Sequence, residues 1–148
     1  MLTGGCLCGG VRYEIAAALG PVIYCHCSQC RRASGSAFAT NASVRADGFR
    51  LSAGAELVRE FEATPGKLRA FCSRCGSPLY ARMESVPELV RVRLGGLDAD
   101  PGVRPQAHLH LASRAPWETP LDDGLARFDG AGPAALAAPG DGPVGGPF

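Results

Sequence analysis

GGCLCGGVRYEI, residues 4–15, decides the fold. Two cysteines one residue apart stand among glycines, and an alternating apolar and polar run follows at once. In that run Val11, Tyr13 and Ile15 share one face, and Arg12 and Glu14 share the other. This is the two-residue period of a half-buried strand. In an extended segment Cys6 and Cys8 project to the same side, so two thiols converge before the first strong strand begins.

The same alternation recurs down the chain. Val90, Val92 and Leu94 face opposite Arg91 and Arg93, and His108 and His110 face opposite Leu109 and Leu111. Further strands are expected at 22–25, 36–42, 57–62, 68–71 and 78–82, with one short helix over 28–33. Eight or more short strands with scarce helix predict a mainly β (β-rich α+β) protein built as a sandwich or folded-over sheet. Twenty glycines and twelve prolines suit such a turn-rich chain.

At 148 residues the chain has the length of about one domain, able to bury roughly two thirds of its unfolded surface. A net charge of +1 argues against a nucleic-acid stripe or a polybasic membrane patch. All the basic residues but Lys67 are Arg, which reads as the coding bias of a GC-rich bacterial genome. Residues 1–128 form the expected compact domain. From residue 129, DGAGPAALAAPGDGPVGGPF is mostly Gly, Ala and Pro, and predicts a flexible or loosely docked tail with Val144 and Phe148 as apolar anchors.

Seven cysteines carry the chemistry. An odd number cannot pair fully within one chain. The start MLTGGCLCGG has no basic segment leading into an apolar run, so a reducing, cytoplasmic location is expected. Thiols spaced this closely then read as metal ligands or redox centres. They fall into Cys6-x-Cys8, Cys25-x-Cys27-x-x-Cys30 and Cys72-x-x-Cys75. Gly76 lets the last turn close with positive φ and frees backbone N–H groups for the sulfurs.

Seven divides into four and three. Four sulfurs close a structural zinc site, and three leave a position open. Cys27/Cys30 with Cys72/Cys75 would make a zinc ribbon. Cys6/Cys8 with Cys72/Cys75 leaves Cys25, Cys27 and Cys30 as one local set, which is the more economical division.

GGCLCGGVRYE, CHCSQCRRASGSAF, FCSRCGSPLY and HLHLASRAPW, in that order, resemble the glutathione-dependent formaldehyde-activating enzyme family, which includes centromere protein V. The resemblance runs over residues 4–128. It implies an Mss4-like fold of small antiparallel sheets around a structural zinc held by Cys6, Cys8, Cys72 and Cys75. It further implies a second, more weakly held zinc on Cys25, Cys27 and Cys30. The implied activity is carbon–sulfur lyase-type chemistry, adding the thiol of glutathione to formaldehyde with Cys25, Cys27 and Cys30 as the catalytic set. An open zinc position lowers the pKa of a thiol and holds the thiolate beside the aldehyde. Two other uses of the pattern are a non-catalytic zinc scaffold and a redox or metal-buffering protein.

Remaining residues receive narrower expectations. Arg31 and Arg32 follow the trio and are candidates to attract the carboxylates of glutathione. The family pattern resembles a single His near His108, a candidate to line the substrate site. His26, between two ligands in a strand, is expected to point away from them. Residues 34–36 read as a turn after the helix, Trp117 as a core anchor, and Asp122 and Asp123 as a turn or cap.

Overall fold

The computed structural model describes residues 1–119 and 122–141. Among them the chain forms eleven strands and one α-helix. The strands are β1 (Leu2–Gly5), β2 (Arg12–Ile15), β3 (Val22–Cys25), β4 (Ala39–Arg45), β5 (Phe49–Ala53), β6 (Val58–Thr64), β7 (Lys67–Cys72), β8 (Pro78–Met83), β9 (Val86–Arg93), β10 (Pro105–Leu109) and β11 (Ala126–Arg127). The helix α1 (Ser28–Ser34) lies between β3 and β4.

The molecule is mainly β. A three-stranded sheet has the order β1-β2-β5, and an eight-stranded sheet the order β11-β10-β3-β4-β9-β8-β7-β6. The larger sheet is antiparallel from β3 to β6, whereas β10 runs parallel to both β3 and β11. Parallel partners need long connections, here the whole chain between β3 and β10. The outer strand β6 carries Arg59, Glu60 and Glu62 on an exposed edge, which discourages pairing with another chain.

The alternation of residues 11–15 is realised as read: Val11, Tyr13 and Ile15 are buried and Arg12 and Glu14 are not. Their face meets Val44, Leu79, Val90 and Val92 of the larger sheet, making the main core between the two sheets. The stack Tyr13–Phe49–Tyr80, with ring centroids 5.4 and 5.0 Å apart, carries contact across that gap. Each fully buried apolar side chain of this kind contributes about 1.5–3 kcal/mol. The central strand β4 is buried on both faces from Asn41 to Val44.

A second, smaller core holds Ile23, Cys25, Cys30, Ala39, Ala107 and Leu109. Leu136, from a short 3-10 turn at Ala134–Ala137, packs against it. A Cβ on Gly20 would sit 2.1 Å from the Ala138 carbonyl oxygen, so the C-terminal segment crosses the 18–20 loop at backbone contact. Val144 and Phe148 lie outside the described residues.

Three local expectations are corrected. Trp117 is 70% exposed and anchors no core; it follows Pro116 in a turn whose buried member is Ala115 instead. His108 and His110 do not share a strand face, because β10 ends at Leu109 and His110 turns into the left-handed region with φ 60°. Cys6 and Cys8 converge through a tight turn rather than strand alternation, since β1 ends at Gly5. In that turn the Gly9 N–H donates to the Cys6 carbonyl at 3.0 Å, and Gly9 has φ 72°.

Candidate metal centres and their surroundings

Two turns distant in sequence, with 64 positions between Cys8 and Cys72, build the first centre. The Cys6–Gly9 turn faces the Cys72–Gly76 turn, which the Gly76 N–H closes onto the Cys72 carbonyl at 2.8 Å. Gly76 has φ 74°, as its place after the last cysteine predicts. The Leu7 N–H donates to Ser77 Oγ at 3.0 Å and ties the two turns together. All four sulfurs lie within 4.8 Å of one another. Cys6 and Cys8 Sγ are 3.4 Å apart, and Cys8 and Cys72 Sγ are 3.9 Å apart. A tetrahedral ion with metal–sulfur bonds of about 2.3 Å requires sulfur spacings of about 3.8 Å, so the donor set fits a thiophilic ion. Cys72 is fully buried and Cys8 exposed, so the centre lies where the core reaches the surface.

Protons are unevenly held there. The Ser77 hydroxyl and backbone hold Cys75 down at about 5. Against the lowering effect of the Gly10 backbone N–H, the neighbouring Cys6 sulfur holds Cys8 up at about 11. A bound cation would take all four as thiolates and release the remaining protons.

The second centre is local. Cys25 ends β3, Cys27 caps α1 by accepting the Cys30 N–H at 3.3 Å, and Cys30 lies in the first turn of that helix. Gly35, with φ 63°, ends the helix, and the turn expected at 34–36 begins one residue later because Ser34 is still helical. The three sulfurs lie within 4.8 Å of one another, and no His, Asp or Glu among the described residues joins them. Hydrogen bonds from Cys25 and Cys27 push the Cys30 thiol far below its ordinary range, and Arg93 and Arg69 add to this. Cys25 is pushed up by its hydrogen bonds with Cys27 and Cys30 and by burial.

The trio opens onto a cavity of about 120 Å³. Lys67, Arg69, Arg91 and Arg93 line it, together with Asn41, His110 and Leu136. Arg69 and Arg93 are each only 8% exposed. Arg69 Nη2 lies 3.1 Å from Gln29 Oε1 and 4.0 Å from Cys30 Sγ, and Arg93 Nη1 donates to Asn41 Oδ1. Sequence reasoning missed both arginines. They occupy ordinary polar positions of alternating strands, and nothing local shows that the sheet turns that face toward the trio.

The other expected site residues lie elsewhere. Arg31 is half-buried and Arg32 exposed, and neither lines the trio's cavity. His108 lines a separate cavity of about 220 Å³ with His26, Tyr24 and Phe38. His26 is buried and reaches His108 rather than the trio, as expected, although it lies just past the end of β3 and not within a strand. His26 Nε2 is 2.9 Å from His108 Nδ1, and His108 Nε2 is 2.8 Å from Asp123 Oδ2. Glu118 Oε2 faces His26 Nδ1 at 3.2 Å, but both atoms are buried without an aligned hydrogen bond. Two neutral imidazoles carry two protons, enough for the two aligned bonds when each ring donates from Nε2. Burial lowers the pKa of His26, in keeping with a neutral ring. Asp123, read from sequence as a turn or cap, also accepts the Leu125 N–H at 3.1 Å.

Fold and sites together define a class: a small, mainly β protein with one four-thiol and one three-thiol centre, each fit to hold a metal ion. The chain belongs to the glutathione-dependent formaldehyde-activating enzyme family, whose model matches residues 1–113. A protein of Halomonas elongata, provisionally named a glutathione-dependent formaldehyde-activating enzyme, is 36% identical over 126 residues, covering 79% of each chain. The fold also resembles a crystal structure of a Rhodobacter sphaeroides protein, with a TM-score of 0.56 and 24% identity over 85% of this chain and 98% of that one. Among the described residues no helix is long and apolar enough to cross a membrane.

Proposed function

We propose that this chain is a zinc-dependent enzyme of the carbon–sulfur lyase type that adds the thiol of glutathione to formaldehyde at the Cys25, Cys27 and Cys30 centre. The observation that carries this reading is a three-sulfur centre that faces a cavity and has no fourth ligand from the described residues. Structural zinc sites are closed, and catalytic ones keep a position open. A non-catalytic scaffold would close the trio with a fourth side chain.

Zinc at the trio would act as a Lewis acid that lowers the pKa of a bound thiol. The chain's own groups do the rest. Cys25 and Cys30 are held by β3 and α1, whose relative position is set by the smaller core. The Cys30 N–H steadies the Cys27 sulfur, and Leu136 and Ala137 line the cavity. In the reaction a sulfur–carbon bond forms, the carbonyl π bond breaks, and the thiol proton ends on the former carbonyl oxygen. The product is S-hydroxymethylglutathione. Cys6, Cys8, Cys72 and Cys75 hold a second zinc whose role is to fix the fold. Seven free thiols suit a reducing, cytoplasmic compartment.

The test is exchange NMR of glutathione with 13C-formaldehyde. Wild type should raise the interconversion rate above the spontaneous one, and Cys27→Ala should return it to background. A wild-type rate equal to background, in protein carrying metal at both centres, would overturn the reading.

A further inference from the structure

We propose that Arg69 and Arg93 make the trio's cavity an anion-selective pocket, so that the group bound beside Cys30 is held as an anion and neutral ligands are discriminated against. This rests on the metal-centre reading above and adds the charge of the ligand and the residues that select it.

The argument starts from charge. Three thiolates and one divalent ion sum to one negative charge. Two buried guanidiniums, which stay protonated in proteins, supply two positive charges. One positive charge is left over in a site where uncompensated charge is costly. Lys67 and Arg91 add to it at the cavity wall, and none of the residues lining the cavity is a carboxylate. A monoanion neutralises this buried set, and a neutral ligand does not.

Hydrogen bonding points the same way. Arg69 Nε is buried with no partner, on a side chain more than nine-tenths buried that lines the cavity. Arg69 Nη2 reaches Gln29 and approaches Cys30 Sγ, so the guanidinium is positioned while its Nε stays buried and unpartnered. A buried donor left unsatisfied is destabilising, and an anionic acceptor would satisfy it. The cavity, at about 120 Å³, is well below the roughly 300 Å³ at which pockets take whole drug-sized ligands. It accepts the reacting end of a substrate, such as a thiolate.

Cobalt-loaded full-length protein tests this without turnover. Thiocyanate serves as the small anion and imidazole as the small neutral ligand, each titrated through the ligand-field absorption. Thiocyanate should perturb the spectrum of wild type, and Arg69→Gln should weaken its binding roughly tenfold or more, the loss of one charge-assisted bond. Imidazole binding should change by less than about twofold under the same constant-to-energy conversion. Arg69→Lys should recover most of the thiocyanate affinity. Lys67→Gln, at a half-buried position on the cavity wall, should weaken thiocyanate by about twofold to threefold. Equal effects on both ligands, or none on thiocyanate in protein holding two cobalts, would overturn the proposal alone. Binding of only one cobalt in wild type would overturn the metal-centre reading and the proposal with it.

Discussion

His26 Nε2 and His108 Nδ1 stand 2.9 Å apart and join β3 to β10 through their side chains as well as through the parallel ladder. His26 sits between two cysteines of the trio, and its own N–H donates to the Leu109 carbonyl at 2.9 Å. The pair therefore fixes the short segment from which Cys25 and Cys27 project on the opposite side. His108→Ala would leave buried polar atoms on His26 and remove one of the partners of Asp123. We expect a loss of about 1–3 kcal/mol in urea unfolding, with weaker metal retention at the trio and unchanged retention at the four-cysteine centre.

Asp123 gives that network an acid-side signature. Its pKa is lowered, chiefly by the hydrogen bond from His108. A carboxylate with a lowered folded pKa contributes stability that is present above its unfolded value of about 3.9 and lost as pH falls through the folded value. Asp123→Asn should flatten this fall. Melting curves of wild type and Asp123→Asn between pH 5 and pH 3 should converge toward the acid end. Parallel curves would remove the link to His108.

The four-cysteine centre should govern folding. Metal binding in small thiolate sites is worth roughly 10–16 kcal/mol, comparable to the whole stability of a domain. Cys72→Ser, nearly isosteric at a fully buried position, should abolish cooperative unfolding seen by calorimetry. Cys30→Ala should keep a cooperative transition, because its centre lies in the smaller core.

The C-terminal segment should be releasable without unfolding. Gly20→Ala would drive a methyl group into the Ala138 carbonyl. The overpacking costs about 1–3 kcal/mol, and it falls on a short 3-10 turn with few other contacts. Amides of residues 134–138 should exchange faster, while those of β4 and β9 keep their protection.

Much of this was legible from sequence because it is local. The thiol spacings, the positive-φ glycine after Cys75, and the alternation of residues 11–15 and 90–93 report contacts between near neighbours, although Leu94, read as part of the second run, lies just past the end of β9. Strand β3 lies where its pattern placed it, at Val22–Cys25. What the sequence hid is set by distant chain. β1 and β5 have weak patterns of their own, and they are strands because they flank β2. The parallel ladder of β3 and β10 brings together residues about eighty positions apart. His110 was misread because alternation assumes the strand continues, and here it stops one residue earlier. Arg69 and Arg93 were invisible as site residues for the same reason: a polar position on a strand does not say what covers it. Here that cover is α1 and the 131–138 segment.

The central claim is two metal centres of unequal role, and zinc content measured on anaerobically purified wild type and Cys30→Ala tests it most directly. The account predicts two zincs per chain in wild type and one in Cys30→Ala, with both proteins folded. One zinc per chain in both would contradict it.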